Sequence, residues 1–416
     1  MILIPLIACL ATTFWPRPAE AEVDGMRFGR SLVALTDLNG DGVRDFAVGA
    51  PTAAPAKDGG TQHEPHSGAV LVLSGADRSV LQVWRGGAGR ATFGHTLRSV
   101  PDMTGDEIPD VLVGYEMHLR TEVRSGADGT LHFAIDHESQ RVQPAGDANH
   151  DGLGDLLIGT APRWEVLSGA DGSFGWGRMY IPAPLRLSSV GDLNGDGVHE
   201  FCSSARRGQW MASDAPEEDW DRDRWLYSFD NMTELGAALE LPWVSRAKPG
   251  SILGFALAAP ARAVLRAEHD GEVSLIVTDT LKCKEAPLVI SRKVGGLQRE
   301  LDFGYVVADP GDLDGDGTGD LITAEGIQTI ACSGADGSVL WTWDGPFDLA
   351  FNGVSVAPLA DVDGDGAIDV LVGTAEEYWH GPVWRNGAVQ LLSGRTGKIL
   401  WRITEGQFDA KFPRRK

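Results

Sequence analysis

The 416-residue chain is 43% hydrophobic and 23% charged, a balance that excludes disorder, and its 53 Gly and 22 Pro demand many turns between short elements. A formal net charge of −23 excludes nucleic acid and anionic membrane surfaces as partners. Such an excess repels itself in a compact state unless cations bind. Many of the aspartates recur two residues apart inside Gly-rich loops, which is the placement a bound cation needs.

In chain order, residues 1–15 are apolar and Ala19-Glu20-Ala21 has the small-residue form of a secretory cleavage site, so residues 1–21 are expected to be a signal peptide. The protein is then secreted, periplasmic or on the cell surface. The apolar run has no basic n-region and is broken by Pro5, which leaves a misplaced start as the alternative. Leu6-Ile7-Ala8-Cys9 resembles a lipoprotein box, but its apolar run is shorter than the roughly 7–15 residues of an h-region. No later segment reaches the ~18 apolar residues of a membrane span. Cys202, Cys283 and Cys332 are widely spaced and read as isolated core thiols.

From Asp37 onward the chain repeats. Residues 37–45 recur at 102–110, 147–155, 192–200, 312–320 and 361–369, with steps of 65, 45, 45, 120 and 49 residues between first aspartates. The 120-residue step has room for a seventh unit, read as Gly254-Phe255, then Glu268-His269-Asp270-Gly271 in place of the acidic loop, then an apolar run over 273–277. Each unit holds four strand-length apolar runs, and the turn Ser74-Gly75-Ala76-Asp77 between the last two returns at Ser125, Ser168, Ser333 and Ser393. Seven such units predict an all-β chain, a seven-bladed β-propeller of four-stranded antiparallel blades. The blades are placed at about 22–86, 87–136, 137–181, 182–245, 246–296, 297–346 and 347–404, with a tail over 405–416. A linear solenoid is the alternative; it would leave two ends that little sequence remains to cap.

The repeated loop places oxygen side chains at positions one, three, five and nine, with a backbone carbonyl available at seven. The ligand sets are Asp37, Asn39, Asp41, Val43 and Asp45; Asp102, Thr104, Asp106, Ile108 and Asp110; Asp147, Asn149, Asp151, Leu153 and Asp155. They continue as Asp192, Asn194, Asp196, Val198 and Glu200; Asp312, Asp314, Asp316, Thr318 and Asp320; Asp361, Asp363, Asp365, Ala367 and Asp369. Oxygen-only ligation suits Ca²⁺, which takes six to eight oxygens in irregular geometry, better than Mg²⁺, which keeps a strict octahedron and its waters. An EF-hand needs a Glu at position twelve between helices; here that position falls in β-type runs, so the ninth carboxylate is expected to close a β-hairpin calcium loop. Position six is Gly42, Gly152, Gly197, Gly317 or Gly366, where a positive φ wraps the chain round the ion, but it is Glu107 in the second loop. With Thr104 at position three, the second site is expected to be the weakest, and the fourth, closed by Glu200, intermediate. Six structural ions would bring the formal charge from −23 to −11. Solvated Asp-Gly turns are the bland alternative, although turn chemistry alone does not ask for oxygens at all four positions.

These residues resemble the FG-GAP repeat family, the propeller repeats of integrin α subunits and of many bacterial secreted proteins. Phe28-Gly29 with Gly49-Ala50-Pro51 carries both halves of the motif; Phe93-Gly94, Phe303-Gly304 and Gly254-Phe255 carry the first. The resemblance implies structural calcium on one face and a protein or glycan ligand on the opposite face. By position, the long insertions over 51–67, 205–224 and 375–386, with Trp210, Trp220, Trp379 and Trp384, either form that surface or cover blade edges. Trp84, Trp341, Trp343 and Trp401 lie in fourth-strand runs and are expected to pack. The chain is therefore read as a binding module and not an enzyme. The alternatives are a quinoprotein-, lyase- or hydrolase-like propeller enzyme and a purely structural surface component.

Overall fold

A computed structural model describes residues 26–53, 67–86, 92–116, 119–139, 142–160, 163–180, 186–191, 197–204, 224–227, 252–258, 262–269, 272–278, 288–293, 306–325, 328–345, 352–374 and 387–408. The described elements are strands, apart from one short 3-10 helix over Glu405–Phe408. The first sheet holds β1 (Leu32–Ala34), β2 (Phe46–Ala50), β3 (Ala69–Leu73) and β4 (Val80–Arg85). The second holds β5 (Thr96–Val100), β6 (Asp110–Gly114), β7 (Thr121–Arg124) and β8 (Leu131–Ile135), and the third β9 (Val142–Gly146), β10 (Asp155–Thr160), β11 (Arg163–Leu167) and β12 (Phe174–Tyr180). Three strands of the fourth are described: β13 (Arg186–Gly191), β14 (Glu200–Ser204) and β15 (Arg224–Tyr227). The fifth holds β16 (Ile252–Ala258), β17 (Arg262–His269), β18 (Glu272–Thr278) and β19 (Leu288–Lys293), and the sixth β20 (Val307–Gly311), β21 (Asp320–Glu325), β22 (Gln328–Cys332) and β23 (Val339–Asp344). The seventh holds β24 (Asn352–Pro358), β25 (Val370–Thr374), β26 (Ala388–Leu392) and β27 (Ile399–Thr404).

Every sheet is an antiparallel meander in sequence order. In the first sheet the second and third strands, Phe46–Ala50 and Ala69–Leu73, are buried on both faces, because that sheet is covered by a neighbour on either side. The first strands meet round the centre: β1 packs on β5 and β24, β13 on β9 and β16, and β20 on β16 and β24. Contact between β1 and β24 joins the first sheet to the last, so the sheets close into a propeller rather than running on as a solenoid.

The joint between sheets explains the Phe-Gly and Gly-Ala positions. Phe28 and Phe93 are fully buried between neighbouring sheets. A Cβ on Gly49 of β2 would overlap the carbonyl oxygen of Gly94, and one on Gly373 of β25 would overlap that of Gly29, so only glycine lets the backbones approach so closely. A second joint lies at the rim, where a fourth-strand aromatic covers the turn of the next sheet: Trp84 lies on Gly129, Phe133 on Gly172 and Trp341 on Gly397. Trp341 also donates its indole N–H to the Gly394 carbonyl at 2.6 Å.

Two differences from the sequence reading stand out. β17 pairs with β18 up to His269 and Glu272, so the Asp270-Gly271 signal falls between the second and third strands of its sheet and not, like the acidic loops, between the first and second. A short Asp-Gly signal marks a hairpin as readily as a degenerate cation loop. Residues 405–408, expected to begin a tail, fold onto the body: Glu405 and Phe408 are buried. The insertions over 54–66, 205–223 and 375–386, with the four loop tryptophans, and Cys9, Cys283, Phe303 and Gly304 lie outside the described residues. Cys332 is a buried free thiol.

Candidate metal centre

Each acidic loop joins the first strand of a sheet to its second, and in the five described loops the sequence folds it through side-chain-to-backbone bonds. In the first loop Asp37 accepts the amides of Gly40 at 2.7 Å, Asp41 at 3.1 Å and Gly42 at 2.7 Å. Asn39 Oδ1 accepts the Asp41 amide at 2.9 Å, and Asp41 Oδ1 accepts the Val43 amide at 2.9 Å. Each short polar side chain thus closes a turn on the backbone two to five residues on. The chain is wound round its own oxygens.

The same winding recurs in the other described loops. Asp102 accepts from Gly105 and Glu107, Asp147 from Asp151 and Gly152, Asp312 from Gly315 and Gly317, and Asp361 from Gly364 and Gly366. Gly42, Gly152, Gly197, Gly317 and Gly366 have φ between 87° and 89°, as their position in the repeat predicts. Glu107 adopts φ 66° at the same place. In the second loop the Thr104 hydroxyl lies 3.4 Å from both Asp102 and Asp110, a long contact where other loops carry Asn or Asp.

The ninth residue does more than its spacing suggested. Asp45, Asp110, Asp155, Asp320 and Asp369 are fully buried. One carboxylate oxygen of each accepts an amide early in its own loop, and the other accepts the glycine amide of the Ser-Gly turn between the third and fourth strands: Asp45 bonds Leu38 at 2.8 Å and Gly75 at 3.2 Å, Asp369 bonds Val362 at 2.7 Å and Gly394 at 3.0 Å. The ninth aspartate therefore ties the loop to the turn beside it. Burial raises its pKa in all five, to about 6 for Asp369, against the amide bonds that lower it. At position one the Gly317 amide leads in holding Asp312 below the ordinary range.

Carboxylate oxygens of Asp102, Asp106 and Asp110, of Asp312, Asp314 and Asp316, and of Asp361, Asp363 and Asp365 lie within 4.8 Å of one another in each set. Two oxygens bound to one Ca²⁺ at about 2.4 Å can stand no further apart than about 4.8 Å. The donors are all hard oxygens, so the sets fit a divalent cation of that class. Asp37, Asp41, Asp147 and Asp151 lie in loops of the same form whose third position is Asn39 or Asn149. Of the fourth loop, Asp192, Asn194 and Asp196 are outside the described residues, Val198 is buried and bridges Gly146, and Glu200 opens β14. Position seven, at Val43, Ile108, Leu153, Thr318 and Ala367, gives its amide to the fifth residue of its loop.

The sequence reading missed two kinds of residue. Ser74 and Ser393 donate their hydroxyls to Asp41 at 3.0 Å and to Asp365 at 3.2 Å. The recurrence of Ser at the start of each turn was the available signal. Neighbouring loops also touch: the Gly154 amide donates to the Asp102 carbonyl at 2.7 Å, and the Asp147 amide to the Gly197 carbonyl at 3.1 Å.

At the opposite end of the first two sheets a second polar cluster forms. Arg27 pairs with Glu116 at 2.9 Å, and Arg30 donates to Nε2 of His95 at 3.2 Å. Burial first and the Arg30 charge second lower the pKa of His95 to about 4, so its imidazole is a neutral acceptor at neutral pH.

Residues 28–73 match the FG-GAP repeat model. Over 246 residues the chain is 26% identical to integrin alpha-V of Gallus gallus, covering 58% of this chain and 19% of that one. It is 41% identical over 92 residues to integrin alpha-7 of Homo sapiens, and 40% identical over 90 residues to integrin alpha-PS2 of Drosophila melanogaster, each covering 21% of this chain and 7% and 6% of the relative. The chain thus spans less than a fifth of the curated relatives it matches. The crystal structure of BBS1N in complex with ARL6DN, soaked with mercury, aligns at a TM-score of 0.48 and 10% identity over 85% of this chain and 91% of that one. Among the described residues no helix is long and apolar enough to cross a membrane. Residues 28–73 thus form an FG-GAP repeat, and the chain, with its wound acidic hairpins and Phe-Gly joints, is a β-propeller similar in sequence to integrin α subunits.

Proposed function

We propose that the protein is an exported, calcium-stabilised binding module that presents a protein or glycan ligand site at the end of the propeller opposite the acidic loops, and that it is not an enzyme. The observation that carries this is the loop set: five described copies wind the same way, and three bring carboxylate oxygens to the separation that one Ca²⁺ spans. Calcium supplies positive charge there and no chemistry. In the sixth and seventh sheets the residues of positions one, three and five bring carboxylate oxygens together, in the second those of positions one, five and nine do, and the ninth residue also fixes the loop to the turn beside it. Integrin α relatives support the adhesion-type reading and an extracellular setting. The ligand end is supported by the Arg27, Arg30, His95 and Glu116 cluster, a set of polar groups held on rigid first and second strands.

The test is thermal unfolding with 1 mM-scale calcium and with excess EGTA. Ion binding to the folded state alone stabilises by about 2.7 kcal/mol per site at a hundredfold excess over Kd, so several filled sites predict a fall in Tm of well over about 10 °C on chelation. An unchanged melting curve would refute structural calcium. A glycan array and a pull-down, each in calcium and in EGTA, then identify the ligand class.

A further inference from the structure

The seventh sheet departs from the repeat at one turn. Four turns read Ser-Gly-Ala-Asp, at Ser74, Ser125, Ser168 and Ser333; the seventh reads Ser393-Gly394-Arg395-Thr396. An arginine thus replaces alanine, and a threonine replaces an acid. The change stands beside the two loops that carry a carboxylate at position three as well as at one, five and nine, Asp312 to Asp320 and Asp361 to Asp369.

The Arg395 side chain reaches across the seam. Its Nη1 lies 3.5 Å from the carbonyl oxygen of Asp314, and its Nε lies 4.0 Å from Oδ1 of Asp365. Its two terminal nitrogens also approach Gly315 and Gly366, one in each loop. The charge acts on Asp312 as well. At 41% exposure and with contacts this long, the guanidinium is shared between two loops and locked to neither.

We propose that Arg395 couples the cation sites of the sixth and seventh blades: a resident positive charge that offsets their extra carboxylates, opposes entry of a divalent ion into either loop and swings clear as both fill. This rests on the calcium reading above and adds regulation to it. Filling one loop repels the guanidinium toward the carboxylates of the other, so the second ion enters less easily than the first. Between the second and third loops and between the third and fourth, the bonds from Gly154 to Asp102 and from Asp147 to Gly197 are backbone bonds, which carry no mobile charge.

Calcium titration calorimetry on wild-type protein, Arg395→Ala and Arg395→Lys tests this. Loss of a like charge several ångströms from an entering ion predicts affinity about three- to tenfold higher for two ions in Arg395→Ala. The gain should shrink at 1 M KCl, where the screening length is about 3 Å. Arg395→Lys keeps the charge and should bind as wild type does. Circular dichroism with EGTA separates folding from binding, because Arg395→Ala only restores the residue of the other turns. Wild-type uptake matched by equal affinity in Arg395→Ala overturns the coupling alone; no uptake by wild-type protein overturns the calcium reading and the coupling together.

Discussion

Glu107 occupies the position at which the four other described loops with a settled winding place glycine, and it takes the same left-handed conformation, φ 66°. A side chain with Cβ pays about 1–2 kcal/mol there, while glycine pays more unfolded-state entropy, which leaves a net gain of about 0.5–1 kcal/mol for Glu107→Gly. Chemical denaturation should show the midpoint rising by that amount, and calcium titration should show tighter binding at the second loop. An unchanged or lowered midpoint would mean that the glutamate side chain contributes something the turn itself does not show. The positive φ was legible in the sequence because the winding of an Asp-x-Asn-x-Asp-Gly loop is local. The double attachment of Asp45 or Asp369 was not, since an aspartate at position nine reads equally as an ion ligand and as an acceptor for backbone amides from a distant turn. Arg395 was hidden for the same reason: its partner loop lies 81 residues away.

Among elements, the third strand of the second sheet carries the least expected chemistry. Glu122 of β7 is 2% exposed, yet it accepts from Arg124 at 2.7 Å, Arg120 at 3.0 Å and the Tyr115 hydroxyl at 2.8 Å. Burial pushes its pKa up, but these bonds and charges outweigh it and hold it below 4.5. A depressed carboxylate stabilises fully above the unfolded value near 4.5 and loses that contribution as pH falls through the lower folded value. Glu122→Gln should therefore cost about 1.5–3 kcal/mol at pH 7, where the half-buried Arg120 and Arg124 lose their anionic partner, and less at pH 3. Urea unfolding of both proteins at the two pH values reads this; a cost independent of pH would show packing, not charge, at work. The alternation of strands was readable from apolar runs, but this network was not, because Glu122 stands in register with Leu71 and Ile330 of other third strands. The fifth sheet shows the converse limit. Its Asp270-Gly271 signal was visible, and only pairing of β17 with β18 told which turn it makes.

At the scale of the whole molecule, the ring closes by the joint that links its neighbours. Ser355 of the seventh sheet donates to the Gly29 carbonyl at 3.0 Å just as Ser31 of the first donates to that of Gly94 at 2.8 Å. The rim contact also recurs, with Arg78 at φ 64° lying 5.8 Å over Trp401 where other turns present glycine. This seam has a part with no counterpart among the described residues of the other seams. Beyond β27, Glu405 Oε2 accepts the Met26 amide at 3.0 Å, and the Phe408 ring lies 5.1 Å from that of Phe28. Seven repeats implied a ring, but a four-residue turn after the last strand offered no period to reveal it as the clasp. Phe408 is 7% exposed, so Phe408→Ala should cost about 3 kcal/mol in equilibrium unfolding, at the lower end for such a truncation because a chain end relaxes into the space. Hydrogen exchange gives the discriminating readout: the Met26 and Gly29 amides should lose protection together, while those of β6 and β10, in the second and third sheets, keep theirs. Uniform loss across the sheets would mean that the propeller unfolds as one unit without first opening at its first and last blades, and unchanged protection at Met26 would remove the clasp from the account of closure.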